Sequence, residues 1–208
     1  MIVKFTLPLI AQLMLLFSLP IAIIRAQPYD DSALRAFLTP SEACASACFM
    51  GIYPGETTAT EALALLKNHA WVGDVEVVLL NRYANGTVPE FGGLTWEWTG
   101  QQPALIDTRQ RGYLEIYGSR AGRERLPTHI KLGDLWLSLG QPDRRFLFLL
   151  KDHVAQLEAV YADLGLVITA TWRCPADAWT IWHTGLTVGA STAGVDSLPL
   201  RPTQRLAC

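Results

Sequence analysis

The chain has 208 residues, 50% of them hydrophobic, with 17 basic and 19 acidic side chains and a formal charge of −2. That apolar content excludes extended disorder and suffices for one substantial core or two small ones. The slightly acidic balance excludes nucleic acid as the main partner, and the arginine groups Arg109/Arg111, Arg120/Arg123/Arg125 and Arg144/Arg145 read as solvated loops.

The first 26 residues differ from the rest. Lys4 precedes an uncharged apolar run over residues 5–24, followed by Arg25-Ala26. Such a run is a signal peptide or an N-terminal anchor. Ala26 supplies a small residue for cleavage, and loss of residues 1–26 removes two bases and no acid, taking the charge from −2 to −4. A membrane contact is expected only through residues 5–24 if they are retained. Either way the folded part is expected outside the cytoplasm, secreted or anchored.

Residues 27–38, with Pro28 and Asp30/Asp31, read as a flexible lead-in. A first helix is expected from Thr39-Pro40-Ser41-Glu42, which combines a cap, an N1 proline and a glutamate. Pro54-Gly55 then forms a turn. Thr58 and Glu61 make a capping box for a helix over 59–69, whose Ala62, Leu65, Leu66 and His69 share one face. Strands follow at 75–79, 94–99 and 113–117, the first two joined through Asn85-Gly86, with a loop over 101–111. After a glycine- and arginine-rich loop at 118–127, Asp134 caps a short helix ending at Gly140, where Pro142 prevents continuation. Further strands are expected at 145–150, 156–162 and 166–172, with a turn at Asp163-Leu164-Gly165.

One helix-start phrase occurs twice. It reads Gly51-Ile-Tyr-Pro-Gly55-Glu-Thr-Thr58 and again His129-Ile-Lys-Leu-Gly133-Asp134, with an apolar residue three positions before a glycine in each copy. The expectation is therefore an α+β tandem repeat of short helices packed on an antiparallel sheet. Its units are a helix-helix-sheet unit at 39–122 and a helix-sheet unit with a C-terminal extension at 123–208.

These residues carry a resemblance. Pro54-Gly55-Glu56-Thr57-Thr58-Ala59-Thr60-Glu61-Ala62, Leu132-Gly133-Asp134 and Leu139-Gly140-Gln141-Pro142 are similar to phrases in the small exported domains of the SmpA/BamE and beta-lactamase-inhibitor-protein-like group. The resemblance spans 48–118 and 129–173. It implies two helices on an antiparallel sheet, singly or in tandem, and binding of proteins in place of catalysis. The segment from Cys48 to Val72 also resembles uncharacterised exported bacterial proteins, which carry no activity to transfer.

Cys44, Cys48, Cys174 and Cys208 suit an oxidising compartment. Of the three possible connectivities the reading taken is Cys44–Cys48 with Cys174–Cys208. Zinc is not expected, because C-x3-C stands without a second tight pair or a nearby histidine. No cofactor is expected either. His69, His129, His153 and His183 are scattered, and Ser119 and Ser191 lack the surroundings of a nucleophile. The functional candidates are aromatic: Trp96/Trp98 and Tyr113/Tyr117 alternate along strands, and Tyr113 and Tyr117 face a partner if Leu114 and Ile116 face the helices. The expected role is non-catalytic binding of a protein or small ligand. The alternative is a secreted hydrolase using Glu97 and Glu115 as a carboxylate pair on an aromatic-lined sheet face.

Overall fold

The computed structural model describes residues 16, 18, 30–39, 44, 48–79 and 91–190. From Leu34 onward these form one compact unit. The fold is α+β: four described helices and an eight-stranded antiparallel sheet. Among the described residues no helix is long and apolar enough to cross a membrane. The apolar run at 5–24, apart from residues 16 and 18, lies outside the described residues.

The first described helix, α1 (Ser32–Leu38), falls in the expected flexible lead-in and corrects it. Leu34 and Leu38 are one turn apart and both buried, so apolar burial orders a segment whose acidic start reads as loop. Thr39, expected to open a helix, follows the end of this one, its amide donating to the Arg35 carbonyl at 2.8 Å. Pro40, Ser41 and Glu42 lie outside the described residues.

Helix α2 (Ala59–Asn68) starts where its sequence predicts, but of the face expected to be buried Leu65 is 38% exposed, because it turns away from the sheet, and His69 follows the helix as its extended C-cap. The Thr58 side chain accepts from the Glu61 amide and the Glu61 carboxylate accepts from the Thr58 amide, so the capping box is complete. Ala62 and Leu66 turn the buried stripe toward the sheet.

The strands are β1 (Val72–Leu79), β2 (Phe91–Trp98), β3 (Gly112–Tyr117), β4 (Arg120–Lys131), β5 (Arg144–Leu149), β6 (Val154–Tyr161), β7 (Leu166–Arg173) and β8 (Gly185–Ala190). Between β4 and β5 lies α3 (Leu132–Leu139), and between β7 and β8 lies α4 (Ala178–Trp182). Their spatial order is β1-β2-β3-β4-β8-β7-β6-β5. The Asn85-Gly86 turn lies outside the described residues, but β1 and β2 pair antiparallel on either side of it.

β4 replaces the loop expected at 118–127 and contains the expected unit boundary at 122/123. Its first half pairs with β3 and its second half with β8, so its strand character comes from two partners distant in sequence. A register shift opposite β3 lets Ala121 and Glu124 both face the helices, which breaks the alternation that a strand shows in sequence. Helix α3 also departs from expectation. Its N-cap is Lys131, with no side-chain cap bond, and not Asp134, which sits inside the first turn.

A repeat is not evident in these elements. Only α2 starts from a capping box; β3 and β4 are joined by a tight turn at Gly118-Ser119, whereas α4 intervenes between β7 and β8. What unites the chain is one core on the helix-bearing side of the sheet. Leu94, Trp96, Leu114, Leu126, Val188 and Ile168 cross it from β2 to β7, all at 3% exposure or less, and meet Leu66 of α2 and Leu135 of α3.

Candidate functional site

The opposite side of β1 to β4 carries no described helix, and its chemistry follows from strand alternation. With Leu114 and Ile116 in the core, Tyr113, Glu115 and Tyr117 project to the open face. Cross-strand pairing adds Thr95 and Arg125 beside Tyr113. Arg125 pairs with Glu115 and lies 5.9 Å from the centre of the Tyr113 ring.

Two glycines fix the attitude of the tyrosines. A Cβ on Gly93 would stand 2.5 Å from the Tyr113 hydroxyl, and one on Gly122 would stand 2.5 Å from Cδ2 of Tyr117. Both rings therefore lie against bare backbone, where a side chain would displace them. The Tyr117 hydroxyl donates to Glu115 Oε2 at 2.7 Å. Burial, followed by that contact and the negative charge of Glu115, pushes the phenol up to about 12. It remains a neutral donor at ordinary pH.

Charged pairs flank the rings. Arg111 reaches Glu76 at 2.5 Å and Glu97 at 3.0 Å, tying β1 to β2. On the other flank Arg123 reaches Glu158 of β6 at 2.7 Å, although β8 and β7 lie between their strands. Gly189 of β8 lies against the β4 backbone beside Arg123, where a Cβ would stand 1.9 Å from the Glu124 carbonyl oxygen.

The remaining candidates separate. Trp96 is fully buried and cannot touch a partner, which corrects its place among binding residues. Trp98 packs on the same core, and its indole N–H donates to the Gln110 carbonyl at 2.8 Å. Glu97 and Glu115 share the open face but do not pair. Glu115 stands opposite Gly93, four residues along β2 from Glu97, about 13 Å in strand length. Two-carboxylate glycoside chemistry works at roughly 5 to 10 Å, and each of these carboxylates is held by an arginine. The Cα atoms of Cys44 and Cys48 lie 5.9 Å apart, within the span of a disulfide. Cys174 follows the end of β7, and Cys208 lies outside the described residues.

A second feature was missed in the sequence. Where β3 ends, residues 105–107 take its place along β4: the His129 amide donates to the Leu105 carbonyl and the Asp107 amide to the Pro127 carbonyl. This closes one wall of a 430 Å³ cleft whose other walls include Lys131, Thr169, Thr171 and Thr187. Asp107 is almost wholly buried and takes the Arg109 guanidinium at 2.8 and 2.9 Å, with Gln110 at 3.2 Å. The Arg109 hydrogen bonds hold its carboxyl well below the usual carboxylate range against the opposing effect of burial. His129 Nε2 is 3.8 Å from Asp107 Oδ1, too far for a hydrogen bond, so Asp107 does not orient it as the third member of a triad would. The signal available in sequence was alternation of threonine in 169–171, which marks a polar face without saying what stands above it.

No family model, curated protein or solved structure matches the chain.

Proposed function

We propose that this chain is an exported, non-catalytic binding protein that docks a protein partner on the open face of β1 to β4. The observation that carries this reading is the pair Tyr113 and Tyr117 lying against Gly93 and Gly122, with Arg125 and Glu115 between them. Rings already held against backbone lose little freedom on binding, and aromatic anchors beside charged groups are the usual centre of a protein interface. A broad sheet face that no described helix covers, with charge pairs on both flanks, suits a macromolecular surface better than a small molecule, which needs a concavity. The apolar run at 5–24 and the even cysteine count support export. The resemblance to exported protein-binding domains points the same way.

The test uses the full chain as bait in the extracytoplasmic fraction, followed by purification of the captured protein and its titration against variants. Tyr113→Ala with Tyr117→Ala weakens binding by about 2 kcal/mol or more. Gly93→Val, which displaces the Tyr113 ring without deleting it, weakens binding as well. Unchanged affinity in variants whose melting shows an intact fold overturns the proposal.

A further inference from the structure

We propose that the cleft between β4, β8 and β7 binds a small organic molecule through a phosphate group. The argument is independent of the tyrosine face. Thr169 and Thr187 are direct cross-strand partners, and Thr171 lies one step further along the same face of β7. Their side chains line the cleft together with Lys131, and all four polar groups lack a partner among the described residues. The other two lining threonines are spent locally, Thr128 donating to Leu186 and Thr184 to Thr180. The free groups are therefore donors that β4, β7 and β8 bring to one cleft.

Charge and geometry narrow the ligand class. Arg109 cancels the buried Asp107, so Lys131 leaves the cleft with a net positive charge, and His129 adds an imidazole at its edge. A carboxylate is best read by the planar fork of an arginine. Here that fork is already given to Asp107 through Nε and Nη2. A lysine point charge with hydroxyls arranged around it suits the three outward oxygens of a phosphate. Among the described residues no ring other than the His129 imidazole at the edge lines the cleft to stack a sugar or base, and the 430 Å³ volume exceeds what a free phosphate fills. The match is a phosphate monoester of a small polar body.

The full chain is titrated by calorimetry and by thermal melting with inorganic phosphate, glycerol 3-phosphate and succinate, each at matched ionic strength. Saturable binding of glycerol 3-phosphate, weaker binding of phosphate and none of succinate are expected, with melting rising as the ligand saturates. Lys131→Gln and the double variant Thr169→Val/Thr187→Val each weaken binding roughly tenfold or more. Thr169→Ser retains it, as does Lys67→Gln, which removes a charge on α2 away from the cleft. Lys131 makes no side-chain cap bond, so its replacement leaves the start of α3 unchanged. Absence of saturable phosphate binding, preference for succinate, or equal titration of the wild type and the Lys131 and threonine variants overturns the proposal.

Discussion

Two buried carboxylates show how environment decides what an acid does. Asp107 has its charge satisfied by Arg109, so its contribution to stability is present above the unfolded carboxylate range and is lost as pH falls through its lowered folded value. Glu124 is the opposite case. It sits on the core side of β4 with no exposure and no hydrogen-bond partner on either carboxyl oxygen, and burial pushes it well above its ordinary value of 4.5, more than the nearby Phe49 amide opposes. Below about pH 4.5 it is neutral in both folded and unfolded chains. As pH rises from there the unfolded chain ionises first, so native stability falls until the folded value is passed. Glu124→Met removes both this fall and the unpartnered oxygens. It is expected to stabilise the protein by about 1–3 kcal/mol at neutral pH and to leave less change near pH 4. Urea denaturation at a series of pH values reads this directly, and a destabilised Glu124→Met chain at pH 7 refutes it. Nothing in the sequence marks Glu124 as buried, since Arg123 and Arg125 on either side give it the look of a solvated charge.

At the scale of elements, the legible parts are those whose signals are local. Thr58 and Glu61 specify the start of α2 within four residues, and Ala62 and Leu66 specify its buried face. Thr58→Ala removes the hydroxyl that accepts from the Glu61 amide, leaves the backbone half of the box in place, and is expected to cost about 1 kcal/mol; the shift of the urea midpoint measures it, and an unchanged midpoint shows that packing alone holds the helix. The strands β1 to β3 and β5 to β7 were likewise readable from alternation, as were the turn at 163–165 and the sharing of one face of β3 by Tyr113 and Tyr117. α1, β4, α4 and β8 were not. β4 depends on pairing with β3 and β8 together, and β8 depends on β4 and β7, partners that no local pattern identifies. The cleft inherits that illegibility, because its walls come from residues 107, 129–131, 169–171 and 184–187 and exist only once β8 has been placed.

For the whole molecule, the central seam between β4 and β8 converts two antiparallel meanders into one sheet. It is also why a division at residue 122/123 does not describe the chain: cutting there severs a paired strand. The proposed export and oxidation belong to this same scale and have a single measurement. The mass of the recovered protein, with and without reductant, is expected to show loss of residues 1–26 and no thiol reactive before reduction. Four reactive thiols in the untreated protein refute the oxidising compartment. The sequence by itself determined the α+β class, the capped start of helix α2, most strands and that Tyr113 and Tyr117 share one face of their strand, because caps, turns and alternation act over a few residues. Only the tertiary structure decided that Trp96 is core, that Glu97 and Glu115 stand apart, that Glu124 is buried and that threonines from two strands share a cleft with Lys131. Those outcomes depend on register and strand order, which are settled by contacts between residues far apart in the chain.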